Sequence, residues 1–267
     1  MSQKLNPVFK KNSLPNHFDL RVQDQSLIEY SQSQTSFINL NSQHQNLKIN
    51  VKRDTKLELV IIVDNSGSYE NEAKIICQIN LEENAHLNLK YADLSNQNIE
   101  FEALINLKEP NSSLNFYSAV IAAQKFEKKI FINPVHLARN TTSDIVSYTI
   151  IKDYALGLVK CASDIRKGST NSEAHQELRL LILDSTAKAH SDPILLIDEN
   201  DIVASHANAI GMLDQEQIFY LNSRGLSKIE AQELLILGYF DPILETIKIH
   251  NPEYAQIILE GLKEKIN

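Results

Sequence analysis

Glycine is scarce in this chain, 7 among 267 residues, against an average usage near ~7% of positions. The seven stand at 67, 157, 168, 211, 225, 238 and 261, and they build neither G-x-G-x-x-G nor a Walker A loop, so no backbone cradle for a nucleotide phosphate is expected. Tryptophan is absent and aromatics make up 7% of residues, which argues against a surface that stacks sugars. Cysteine is limited to Cys77 and Cys161. That excludes a disulfide framework and any paired-cysteine metal signature, and it fits a reducing cytoplasm. No run approaches the ~18 consecutive apolar residues of a membrane span, and Met1 to Leu20 lacks an apolar signal core, so neither membrane insertion nor secretion is expected. Positive charge is in deficit, with 26 Lys and Arg against 34 Asp and Glu for a net charge of -8. Nucleic acid would meet repulsion rather than an electrostatic funnel.

What is present suffices for a folded soluble body: 43% of residues are hydrophobic, enough for a sizeable core in one or two domains. From about Lys48 to Ser205 short runs alternate apolar and polar residues or are rich in β-branched ones, as strands do. They include Leu57 to Val63, Ala73 to Leu81, Ala85 to Tyr91, Ile99 to Leu107, Leu114 to Ile121, Ile130 to Leu137, Asp144 to Ile151, Leu178 to Leu183 and Ile194 to Ile197. Polar turns such as Asp64-Asn65-Ser66-Gly67 and Glu109-Pro110-Asn111-Ser112 separate them. Strands a dozen residues apart suit either a sandwich of hairpins or a solenoid of stacked rungs. The lack of Asn-Gly and Asp-Gly hairpin dipeptides favours the solenoid slightly, but no strict rung repeat is visible, and the residues alone leave both open.

After Gly211 the pattern turns helical. Asp214 to Gln217 and Ser227 to Glu230 read as capping boxes, with Gly225 placed to end the first helix in a left-handed conformation. The second helix is expected to run to about Phe240, and a third opens at Asn251-Pro252-Glu253, with Tyr254, Ile257, Ile258 and Leu262 at helical spacing.

The segment Pro193 to Asp198, Asp201 to His206 and Gly211 to Leu226, continuing through Glu230-Ala231 and Leu234 to Phe240, closely resembles the C-terminal core of the SufB/SufD family of iron-sulfur cluster assembly proteins. About 60 residues match densely, and a thinner similarity reaches back to about His136. The resemblance implies a mainly β fold, a right-handed parallel β-helix over 45–210, with a polar N-terminal segment over 1–44 and a small C-terminal α-helical unit over 211–267. It also implies a SufD-like, non-enzymatic scaffold subunit working with a SufC-type ABC ATPase and paired either with a SufB-type chain or with itself. On this reading no cofactor is stably bound by the isolated chain, and any iron-sulfur cluster is transient at a subunit interface.

The family's ligand set is reduced here. Leu178 falls at about the position of the SufB sulfur-accepting cysteine, Ala204 replaces a cysteine that many SufD proteins carry, and Ala207 replaces a glutamate of SufB. His206 matches the family histidine and is the candidate metal ligand; its alternative role is to order a strand-to-helix turn. His190 reads as a turn residue, and Cys77 and Cys161 as small buried hydrophobes. Phe219, Tyr220, Leu234 and Leu235 are candidate partner-interface residues, with one of the Phe219-Tyr220 pair expected in the core. Arg224 is expected to bond helix carbonyls or a carboxylate. The competing classes are a β-helical carbohydrate enzyme using carboxylates among Asp184, Asp192, Asp198 and Asp201, and a paralogue that keeps only dimerisation and docking.

Overall fold

A computed structural model describes residues 27–40, 44–64 and 72–266. Its strands form two seven-stranded sheets. One holds the odd-numbered strands, β1 (Leu27–Tyr30), β3 (His44–Val51), β5 (Glu72–Leu81), β7 (Asn98–Leu107), β9 (Glu127–His136), β11 (Leu156–Ile165) and β13 (Lys188–Ile197). The other holds β2 (Gln34–Asn39), β4 (Lys56–Val63), β6 (His86–Asp93), β8 (Ser113–Ala122), β10 (Thr142–Ile151), β12 (Ser172–Ile182) and β14 (Ile202–Gly211). Every pairing is parallel and links strands two apart in sequence. The chain therefore winds as a solenoid, each turn adding one strand to each sheet, and the hairpin sandwich is ruled out.

Because paired residues in a parallel ladder share a sheet face, the interior consists of rows that run along the solenoid. One row is Leu47, Cys77, Ala103, Ile132, Cys161 and Pro193. Another is Phe116, Ile145, Gln176 and His206. Tyr91 and Phe101 stack across the interior with centroids 3.8 Å apart, filling the space between the sheets.

One corner is turned by left-handed residues without glycine. Asp54, Asn84, Asn111, Asn140 and Asn171 have φ between 55 and 61, a region that asparagine and aspartate tolerate better than other side chains. Their side chains stack into a hydrogen-bonded ladder: Asn84 Nδ2 donates to Asp54 Oδ1 (2.7 Å), Asn111 to Asn84 (3.0 Å), Asn140 to Asn111 (3.2 Å) and Asn171 to Asn140 (2.9 Å). Each rung thereby fixes the corner of the next.

Among the described residues the first strand is Leu27–Tyr30, inside the segment that the sequence characterises only as polar. Three helices follow β14: α1 (Gln215–Ser223), α2 (Lys228–His250) and α3 (Pro252–Ile266). The Asp214 carboxylate caps α1, and Ser227 with Glu230 forms a reciprocal capping box on α2. Gly225, at φ 99, takes the left-handed position after α1. α2 runs ten residues past its expected end, through Pro242. Proline removes one intrahelical bond, but Ile243, Thr246 and Ile247 beyond it are buried on the sheet. Lys90 also donates to Glu58 (2.8 Å) and Thr246 (2.5 Å), tying that half of the helix to the ladder. No helix among the described residues is long and apolar enough to cross a membrane.

Candidate functional site

His206 does not sit in a turn. It lies mid-way along β14, paired with Gln176 of β12, because the alternation Ile202, Ala204, His206, Asn208, Ile210 continues the interior face of the ladder past the point where sequence reading placed the strand's end. The turn-ordering role is thereby removed. Phe116, Ile145 and Gln176 of the same row are buried, whereas His206 is exposed. No described strand stacks beyond β13 and β14, so their inward-facing residues form an open end face of the solenoid.

That end face is apolar around the imidazole. Ile197, in line with buried Ile165, is 47% exposed, and Ile210, in line with buried Leu180, is 46% exposed. Beneath His206 lies a polar nest. Gln176 Nε2 donates to Ser163 Oγ (2.7 Å) and to the Ile194 carbonyl (2.9 Å). Gln176 Oε1 and Ser191 Oγ are buried without a hydrogen-bond partner among the described residues. Such orphaned atoms mark the places where water or a partner's polar groups complete the network.

The end face carries one imidazole and no thiolate. Leu178 is fully buried under Asn208. Cys77 and Cys161 are buried, and burial pushes both thiols up to about 12, so neither supplies a thiolate near neutral pH. No group of three or more His, Cys, Asp or Glu side chains that could hold a metal is found among the described residues. His190 is an exposed residue within β13 rather than a turn residue, since β13 starts six residues before the expected Ile194. Two of the four candidate enzyme carboxylates have structural partners: Asp184 accepts from the Asp153 amide (2.7 Å), and Asp192 pairs with Lys160 at 3.6 Å.

A second exposed surface lies on the helices. Ile218 takes the buried position of α1, so Phe219 and Tyr220, rotated about 100° and 200° from it, both face solvent at 75% and 55% exposure. The expectation that one of them enters the core is not met. Arg224 stacks over the Tyr220 ring, 5.1 Å from its centroid. Along α2, Ile236 is buried, Leu235 and Leu237 are half-buried against the helical core, and Leu234 is 49% exposed. Sequence reasoning missed the apolar end face, whose signal was the inward register of Ile197 and Ile210.

The family model for the SufBD core domain of SUF-system FeS cluster assembly matches residues 8–239. The iron-sulfur cluster assembly protein SufD of Bacillus subtilis (strain 168) is 36% identical over 132 residues, 49% of this chain and 28% of that protein. A SufBD family protein of Mycobacterium tuberculosis (strain ATCC 25618 / H37Rv) is 35% identical over 103 residues, 38% of this chain and 25% of that protein. Another from the same strain is 29% identical over 121 residues, covering 45% of this chain and 14% of the relative. The matches thus span little more than a quarter, or less, of these relatives. With the family model covering the described solenoid, α1 and the first half of α2, the chain belongs to the SufBD core family of the SUF system for iron-sulfur cluster assembly.

Proposed function

We propose that the chain is a SufD-like scaffold subunit, not an enzyme, which pairs through its open end face with a SufB-type chain or a second copy and receives a SufC-type ATPase on its helices. The observation that carries this is the unfinished last turn of the solenoid, where two sheet edges and an apolar interior row end together around His206. Such an edge invites a second chain. A soft metal cluster needs several thiolates, so a cluster at this place draws them from the partner. His206 then adds one neutral nitrogen ligand. The exposed Phe219-Tyr220-Arg224 group and Leu234, with Leu235 behind it, supply aromatic and guanidinium anchors of the kind that dominate interfaces.

Anaerobic reconstitution of the complex with its SufB-type and SufC-type partners tests the site. His206→Ala is expected to lower cluster formation, read by visible absorption, on the order of tenfold, with the complex eluting unchanged. Undiminished reconstitution would favour the docking-only paralogue. In a separate titration, Phe219→Asp should weaken ATPase binding by about tenfold or more and leave circular dichroism unchanged; wild-type affinity in the variant would remove α1 from the docking face.

A further inference from the structure

The last turn of α3 is fastened by two lysines. Lys265 Nζ donates to the carbonyls of Leu94 (2.6 Å) and Ser95 (2.7 Å), in the loop that follows β6. In the reverse direction, Lys152, between β10 and β11, donates to the carbonyls of Lys265 (3.2 Å) and Ile266 (3.1 Å), which the helix end leaves without intrahelical partners. Directly below this loop the solenoid holds a buried ion pair, Lys128 Nζ to Asp93 Oδ1 at 2.8 Å, with Ser95 Oγ accepting from the same ammonium at 2.7 Å. Lys265 therefore rests on neutral carbonyls with another lysine beneath it. The nearby carboxylate, Asp93, is engaged through Oδ1, while its buried Oδ2 has no hydrogen-bond partner among the described residues.

We propose that Lys265 is a proton-sensitive latch that holds α3 on the solenoid and lets it lift when the amine is charged. Carbonyls can accept from an uncharged amine, whereas a charged one is disfavoured by the lost hydration and by Lys128. Burial, and after it Lys128, draw Lys265 down to about 7, with Asp93 opposing. A released α3 returns this side chain to water, where it titrates near ~10.4, so release takes up a proton. The latch is then weakest at pH 7 and below, and strengthens as pH rises towards 10.

The buried phenol of α3 does not supply this dependence. Tyr254, near its other end, donates to Asp64 (3.0 Å). Burial, reinforced by Asp64, holds its phenol well above the usual range, so it stays protonated throughout pH 7 to 9. Lys263 pairs with Glu233 of α2 at 3.6 Å, on a half-exposed surface. Since α3 packs against α2 in one apolar cluster, the latch couples the seating of α3 beside α2 to one proton.

A cysteine introduced on the buried face of α3, Ala255→Cys, reports lifting through its rate of alkylation, normalised at each pH to the denatured chain. In the otherwise wild-type protein the opening constant should fall as pH rises from 7.5 to 9, approaching about tenfold per unit for one linked proton. Lys265→Met should flatten the profile, and Lys265→Arg, charged throughout, should flatten it at the open end. Exchange of the Ile258 and Leu262 amides, corrected for intrinsic rate, gives the same measurement without the added cysteine. An equal slope in Lys265→Met, or a Lys265 amine titrating near 10 by NMR, would overturn the latch.

Discussion

Replacing Asp93 by alanine is expected to destabilise the protein by about 3–5 kcal/mol, a large share of the total stability of a domain. Asp93 and Lys128 are each 1% exposed at the side chain, inside the solenoid. Asp93 Oδ1 accepts from Lys128 Nζ, from the Ser95 amide (2.9 Å) and from Ser95 Oγ (2.7 Å). Removing the carboxylate leaves an ammonium in an apolar interior with one hydroxyl for company. Burial already lowers the Lys128 pKa against the pull of Asp93, so the variant's lysine would shed its proton or draw in water. The double replacement Asp93→Leu with Lys128→Met removes both charges, and it should recover much of the loss, because two well-packed apolar groups avoid the desolvation that the pair incurs. Urea unfolding of the three proteins decides the matter. A single variant within about 1 kcal/mol of wild type, or a double variant as weak as the single, would show that the loss does not come from an orphaned buried charge.

The strands that could be read from the sequence are those whose interior rows are aliphatic. In β7, Ile99, Phe101, Ala103, Ile105 and Leu107 are buried in strict alternation. In β11 the inward positions are Gly157, Val159, Cys161, Ser163 and Ile165, and in β14 they include Ala204, His206 and Asn208. Small or polar residues there erase the contrast on which alternation depends. The same holds for β1 and β2, which lie in a segment rich in Gln and Ser. The rung repeat was present but thinly written. Its marker is one Asp or Asn per turn, spaced by 30, 27, 29 and 31 residues along the ladder from Asp54 to Asn171. Since the left-handed positions of this ladder are taken by asparagine or aspartate rather than glycine, the chain can wind many times while remaining poor in glycine and free of hairpin dipeptides.

The site was less legible than the fold. Nothing in the composition around His206 distinguishes a ligand from a surface histidine, and it was singled out by resemblance alone. Its register opposite Gln176 gives a physical reason for interest, since it places the imidazole in line with the core rather than on the outer wall. Neither the buried Asp93-Lys128 pair nor the contact of Lys265 with the loop after β6 could be anticipated. They join residues 35 and 171 positions apart, separations at which sequence spacing says nothing about which turn of the solenoid faces which.

Ile210→Asp is expected to weaken association of this chain with the partner proposed above, a SufB-type chain or a second copy, by at least about 30-fold, the equivalent of a hot-spot loss near 2 kcal/mol. Ile210 continues a row in which Thr149 and Leu180 are fully buried. It is itself half-exposed only because the solenoid ends there. In the isolated chain an aspartate at this place keeps its water, so the fold and its thermal transition should change little. Once a second chain covers the end face, the carboxylate must give up hydration without a counter-ion, which costs several kcal/mol unless it is paired or protonated. Sedimentation velocity across a concentration series reads the effect directly. His206→Ala serves as the comparison, since it removes an imidazole from the same face without burying a charge, and it should associate like wild type. If Ile210→Asp associates as tightly as wild type while remaining folded, the end face is not where the chains meet, and the exposed anchors on α1 and α2 become the only candidate contact among the surfaces described above.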